Sequence, residues 1–289
     1  MNRLVFALMW MVHLLPLRML AGIGNLAGSV AFWLIPERRH VTRINLALCF
    51  PEMDPAQREE LARAHFRAFM RSFVEHGLLW WASRERIMRL VRVEGIERLR
   101  ALSGQPVILV APHFVGLDAA FTRLGCEIEV AGLYAHQKSA VYDALLLRGR
   151  TRFGLSHAIP RQAGVRAVLA SIRAGQPFYY APDLDFGRRD AVFVPFFGVT
   201  AATITGVSRL ARLTGASVLP CITRMLPGGG GYVVSLLPAM QDFPTDEVEA
   251  DTRRINALIE EQVLAMPEQY YWVHKRFKTR PAGEASFYA

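Results

Sequence analysis

Val107-Ile108-Leu109-Val110-Ala111-Pro112-His113-Phe114-Val115-Gly116-Leu117-Asp118 is the stretch whose reading decides the fold. Four consecutive apolar residues with no polar alternation mark a strand from the middle of a sheet that is covered on both faces. His113 then falls on a turn, and Asp118 lies in or near the first turn of a helix. In an open α/β sheet ligands sit at the carboxyl ends of the strands, so this turn is where a site is expected.

The same alternation continues outward. Strands are predicted at Pro106–Ala111, Glu127–Tyr134, Pro177–Pro182, Ala191–Pro195, Ser217–Arg224 and Gly231–Leu237. Helices are predicted between them at Leu117–Gly125, Ser139–Phe153, Ala163–Gly175, Ala202–Gly215 and Thr245–Ala265. The fold class is α/β, with a mostly parallel central sheet flanked by helices and a late hairpin turned by Pro227 to Gly231. Upstream, Asp54-Pro55-Ala56-Gln57 combines an N-cap, a first-turn proline and a box-like partner, and starts a helix reaching about Trp81. Leu61, His65, Phe69, Phe73 and His76 share one face of it and are expected to pack on the main domain. Its aromatic end, Leu78 to Trp81, is expected at the membrane interface.

Leu4 to Ile35 is nearly all apolar, and Met19 to Ile35 is a charge-free run of 17 residues. The segment is either one tilted, kinked helix crossing the bilayer or a helical hairpin lying in its interface. Arg3 stands alone before it, whereas Arg38, Arg39 and Arg43 follow closely, so the positive-inside rule puts the remainder in the cytoplasm. Two parts are therefore expected, an N-terminal membrane anchor over 1–36 and a cytoplasmic domain over 37–289. Gly24 and Gly28, four apart in this stretch, suggest close helix packing and not a nucleotide loop.

Hydrophobic residues are 52% of the 289 and charged ones 20%, which excludes disorder, and the net charge is +9. Of the 34 basic residues only Lys138, Lys275 and Lys278 are lysine; the arginine excess reads equally as codon bias or as affinity for phosphate and carboxylate. A pI near 9.9 favours an anionic lipid or an acidic carrier protein as partner. Nucleic acid is not expected, because no recognition motif accompanies the charge. Cys49, Cys126 and Cys221 have neither metal nor redox spacing and read as buried thiols, and no metal site is expected. The absence of G-x-S-x-G, Walker and H-E-x-x-H motifs removes several enzyme classes.

Residues five apart on one helix stand about 140° apart, so His113 and Asp118 pair only if His113 folds back from the turn over the helix start. Asp118 then accepts a hydrogen bond from one ring nitrogen, leaving the other free as a general base. No serine or cysteine belongs to the motif, so the nucleophile is expected to be a substrate hydroxyl attacking an activated acyl group.

The segment resembles the H-x4-D/E box of glycerolipid-type acyltransferases. The wider chain is similar to the late acyltransferases of lipid A biosynthesis, the lauroyl and myristoyl transferases. Asn45-Leu46-Ala47-Leu48-Cys49-Phe50-Pro51 matches that family's N-L-x-L-C-F-P, and Asp118 stands where many relatives have Glu. Gly149-Arg150, Arg161 and Ala181-Pro182-Asp183-Leu184-Asp185-Phe186-Gly187 follow in the family's order. Pro267-Glu268-Gln269-Tyr270, Trp272, His274 and Arg276 through Pro281 complete the match.

The resemblance implies transfer of a fatty acyl chain from acyl carrier protein to a hydroxyl of a lipid A precursor. It implies no covalent acyl-enzyme, no cofactor beyond the carrier-bound co-substrate, and a place at the bacterial inner membrane with the catalytic domain on the cytoplasmic face. His113 and Asp118 are the expected catalytic pair. Arg150 and Arg161 are expected at a phosphate or an oxyanion, with a solvated helix face as the competing reading. Asp183 and Asp185 are expected either to bind sugar hydroxyls or to shape the turn before Gly187. Phe193, Phe196 and Phe197 fit core packing better than an acyl channel. The alternatives are another lipid acceptor, a lysophospholipid or an aminolipid, or a lipid-binding protein without catalysis.

Overall fold

The computed structural model describes residues 3–289, with side chains from residue 7 onward. Residues 1 and 2 of the expected anchor, and the Arg3 side chain used for orientation, lie outside what is described. The chain opens with α1 (Arg3–Val12), α2 (Leu17–Leu34), α3 (Pro36–Cys49) and the long α4 (Pro55–Trp81). It continues through α5 (Arg84–Leu90), β1 (Val91–Glu94), α6 (Ile96–Arg100), β2 (Val107–Val110), α7 (Leu117–Leu124), β3 (Val130–Tyr134), α8 (Ala140–Thr151) and β4 (Ser156–Pro160). Then come α9 (Gly164–Arg173), β5 (Phe178–Tyr180), β6 (Ala191–Phe196), β7 (Val199–Ile204), α10 (Gly206–Thr214), β8 (Ser217–Met225), β9 (Tyr232–Leu236) and α11 (Val248–Ala265).

Seven strands form one sheet in the order β1-β9-β8-β2-β5-β3-β4, parallel throughout except for the β8–β9 hairpin. β2 is its centre, and all four of its residues are fully buried. Val107 and Leu109 join the core on one side and Ile108 and Val110 the core on the other, as a strand covered on both faces requires. Each such side chain contributes on the order of 1.5–3 kcal/mol of transfer free energy.

Three departures from the expected elements have local causes. β1 and β4 are edge strands of four and five residues, too short and too mixed in polarity to show a period. The segment at 191–204 forms a separate antiparallel hairpin, β6 with β7, so Ala191–Pro195 does not join the main sheet. The expected helix from Ala202 starts instead at Gly206, because Val199–Ile204 is rich in Thr, Val and Ile and pairs with β6.

α4 starts as expected, with the Asp54 carboxylate accepting from the Ala56 amide at 2.8 Å. Of its aromatic end, Leu78, Leu79 and Trp80 are buried in the core and so are not presented to a membrane, while Trp81 is half-buried against that core. A buried ion pair, Arg71 Nε to Glu75 Oε1 at 2.6 Å, holds α4 to the hairpin, since Arg71 also donates to the Leu226 carbonyl at 2.8 Å. The Tyr232 hydroxyl donates to the other Glu75 oxygen.

The N-terminal segment is two helices separated by a turn at 13–16, not one kinked helix. α2 is long and apolar enough to cross a membrane by length and composition. One face of it packs on α4 through the glycines singled out above: a Cβ at Gly24 would stand 2.4 Å from Arg71 Cα, and one at Gly28 2.4 Å from the Phe66 carbonyl oxygen. Packing therefore continues across residue 36. The opposite face, with Trp10 and Leu14 on the α1 side and Leu26, Trp33 and Leu34 along α2, is exposed.

Candidate active site

The site lies at the carboxyl ends of β2 and β5, two neighbouring parallel strands. Their register pairs Val110 with Tyr180, and His113 and Asp183 each follow three residues later, so the two are brought level. Asp183 Oδ1 stands 2.7 Å from His113 Nδ1, and its Oδ2 accepts the His113 backbone amide at 2.9 Å. The Asp183 side chain is wholly buried, whereas that of His113 is 21% exposed. Because the carboxylate makes Nδ1 the protonated nitrogen, Nε2 carries the free lone pair, and it has no hydrogen-bond partner among the described residues.

The Tyr270 hydroxyl lies beside the same carboxylate, and the charge of the buried Arg276 reaches it. Burial alone would raise the Asp183 carboxyl; His113, by charge and by two hydrogen bonds, and Arg276 outweigh it and hold the group below its ordinary range. Tyr271 faces the His113 ring at 6.2 Å between centroids, and His274 stacks on Tyr271.

The expected hydrogen bond from His113 to Asp118 is not formed, and Asp183 accepts it instead. From the first turn of α7, Asp118 reaches α8 and α4 instead. Its Oδ1 accepts from Arg150 Nε at 2.9 Å and Nη2 at 2.6 Å, and its Oδ2 lies 3.0 Å from His76 Nε2. Burial would raise this carboxyl too, but the Arg150 charge and the His76 contact hold it well below the usual carboxylate range. Arg150 is thus neither on a solvated face nor free. Gly149 sets its place: a Cβ there would fall 2.1 Å from Trp80 Cδ1, so only glycine lets α8 approach α4 this closely.

The other expected ligands are elsewhere. Arg161 is exposed and lies over the Phe186 ring at 5.0 Å, and among the described residues it makes no hydrogen bond or ion pair with His113. Asp185 is buried and ties down the C-terminal segment, accepting from the Thr279 amide at 2.6 Å and the Thr279 hydroxyl at 2.7 Å. Of its two expected roles it performs the turn-shaping one, by accepting from the Gly187 amide at 2.9 Å, and Gly187 sits at φ +95°. Phe196 is core, and Phe193 lies under Arg188.

Sequence reasoning missed the pairing of Asp183 with His113 and the role of His76. The first had a signal: Val110-Ala111-Pro112-His113 and Tyr180-Ala181-Pro182-Asp183 are the same strand ending, apolar residue then Ala-Pro then a titratable group. The second had none beyond a place on a helix face.

Residues 1–279 match the family described as bacterial lipid A biosynthesis acyltransferase. The chain is 34% identical over 283 residues to the lipid A biosynthesis lauroyltransferase of Escherichia coli, covering 97% of this chain and 92% of the relative. It is 32% identical over 283 residues to that organism's palmitoleoyltransferase, with the same coverage. To its myristoyltransferase it is 30% identical over 273 residues, covering 93% and 83%. A solved 1-acyl-sn-glycerophosphate acyltransferase from Thermotoga maritima aligns with a TM-score of 0.40 at 14% identity, over 86% of this chain and 98% of the other. That last likeness is too low to add to the argument. With nearly its whole length matched and identities of 30–34% to three such enzymes, this chain belongs to the bacterial lipid A biosynthesis acyltransferase family.

Proposed function

We propose that the chain transfers an acyl group from acyl carrier protein to a hydroxyl on an acyl chain of a lipid A precursor, with His113 as general base oriented by Asp183. The observation that carries the reading is the buried Asp183 carboxylate on Nδ1 with Nε2 left open. Nε2 takes the proton of the acceptor hydroxyl as the oxygen attacks the thioester carbonyl carbon. Asp183 stabilises the imidazolium that forms, and the buried carboxylate costs no reorganisation at that moment. Collapse of the tetrahedral intermediate breaks the carbon–sulfur bond, and the imidazolium returns its proton to the departing sulfur.

Direct transfer, without an acyl-enzyme, is supported by the state of the three thiols. Cys49, Cys126 and Cys221 are all buried, and burial raises each thiol, Cys221 to about 12, so none is a ready thiolate. An acidic carrier as donor is supported by the +9 charge. A seat at the cytoplasmic face of the inner membrane is supported by the exposed apolar face of α1 and α2, followed by Arg38, Arg39 and Arg43.

The test is acyl transfer to a lipid A precursor in micelles by the full chain, with dodecanoyl-acyl carrier protein and dodecanoyl-coenzyme A compared as donors. The carrier-bound donor is expected to be used with higher kcat/KM. Equal use of both overturns the carrier-protein reading.

A further inference from the structure

We propose that His76 is a positioning residue for acyl transfer: it fixes the Asp118 carboxylate and, through it, the Arg150 guanidinium beside the catalytic turn. The inference rests on the reading of His113 as the base. His76 sits on α4 directly after Glu75, at the point where the buried Arg71–Glu75 pair and the Tyr232 hydroxyl hold that helix to the hairpin. Its backbone is thus anchored independently of the site.

The ring is held at both nitrogens. Nδ1 lies 2.7 Å from the Ser72 carbonyl oxygen one turn back, and Nε2 lies 3.0 Å from Asp118 Oδ2. A carboxylate only accepts, so at this distance Nε2 is the nitrogen that donates to Asp118. Trp80 packs edge-on against His76 at 5.7 Å and fills the space that Gly149 leaves, which ties the ring's position to that of α8.

The Asp118 carboxylate is then held at both oxygens. Arg150 occupies Oδ1 with two of its N–H groups, and His76 occupies Oδ2. Neither oxygen is free to swing towards His113, which keeps Asp118 from competing with Asp183. Arg150 spends only two of its N–H groups on the carboxylate, so the guanidinium fixed here keeps others to donate. The cluster adjoins the catalytic turn through the chain itself, because Asp118 is in the first turn of α7, five residues after His113. A guanidinium held in place in this way suits the developing oxyanion or a phosphate of the acceptor.

Two substitutions separate the contacts. His76→Asn places an amide where Nδ1 was and keeps the Ser72 bond but does not reach Asp118. His76→Gln places an amide nitrogen near Nε2 and restores a donor to Asp118. The full-length protein is assayed with dodecanoyl-acyl carrier protein and a lipid A precursor in micelles, alongside thermal unfolding. His76→Asn is expected to lower kcat about 10- to 100-fold with KM for both substrates nearly unchanged, the loss typical of a misplaced catalytic-site group. His76→Gln is expected to recover most of that loss at a similar melting temperature. In an Asp118→Asn background, His76→Asn is expected to cost nothing further.

Full kcat in His76→Asn, an equal loss in both variants, or an undiminished loss in the Asp118→Asn background overturns the proposal. Failure of the base reading shows separately, as unimpaired turnover by His113→Ala. The His76–Asp118 coupling is then still read from the melting temperatures of the same double-mutant cycle.

Discussion

Replacing Asp183 by asparagine turns one of its two acceptor atoms into a donor, so neither orientation of the amide reproduces the native pair of contacts with His113 in its working tautomer. The native carboxylate accepts at both oxygens, from His113 Nδ1 at 2.7 Å and from the His113 backbone amide at 2.9 Å. If the asparagine oxygen faces Nδ1, its NH2 meets the backbone N–H, donor against donor, at a wholly buried side chain. If the oxygen faces the backbone, the NH2 donates to Nδ1, the ring proton moves to Nε2, and the base is lost. The second arrangement satisfies both hydrogen bonds and is therefore the one expected. In serine proteases the equivalent wrong-tautomer change lowers kcat about 10⁴-fold, which is about 5.4 kcal/mol at 1.36 kcal/mol per decade. A loss of 10³- to 10⁴-fold in kcat is expected here, with acceptor KM within about 3-fold and no gross change in melting temperature. The assay is steady-state acyl transfer with a chromatographic readout of the acylated lipid. Retention of more than about a tenth of wild-type kcat by a folded Asp183→Asn protein refutes the orientation argument, and a matching loss in Asp118→Asn alone would return that role to Asp118.

Two further outcomes follow from packing and burial. Gly28→Val puts a side chain 2.4 Å from the Phe66 carbonyl oxygen and is expected to cost at least about 1–3 kcal/mol, while Gly22→Ala meets nothing within 4 Å and is expected to gain about 0.5–1 kcal/mol; thermal unfolding in detergent ranks the two. His65 is wholly buried, with Nδ1 on the Glu268 carbonyl, and burial lowers it from 6.5 to about 4. Between those values the unfolded chain binds a proton that the folded chain refuses, so stability falls as pH falls, by about 1.4 kcal/mol per pH unit at the steepest. His274, lowered to about 4 by burial and by the charge of His113, acts in the same direction. In His65→Phe the fall in melting temperature between about pH 6 and pH 4 is expected to be shallower than in the wild type; identical slopes would contradict the assignment.

The central parallel sheet was legible because β2 is buried on both faces and therefore reads as an unbroken apolar run. The edge strands Val91–Glu94 and Ser156–Pro160 carry no such run, since one side of an edge meets solvent or helix ends and tolerates mixed polarity. The position of His113 was legible for the same reason as β2, because strand ends locate sites. Its partner was not, since spacing along the chain favours Asp118, five residues away, over Asp183, seventy residues away. Only the β2–β5 register, Val110 with Tyr180, makes the distant residue the near one. Arg150 and Asp185 were found as residues but not as partners: what they touch, Asp118 and Thr279, depends on helix and tail packing that no local pattern encodes. Gly24 and Gly28 show the opposite case, where small residues in an apolar stretch announced a close helix contact before its partner, α4, was known.

Lipid A from cells deleted for this chain, then supplied with the wild type or with His113→Ala, tests the account most directly by mass spectrometry. One acyl chain is expected to be missing after deletion, to return with the wild type, and to stay missing with a folded, membrane-associated His113→Ala protein. Restoration by His113→Ala, or a lipid A profile unchanged by the deletion, would contradict it.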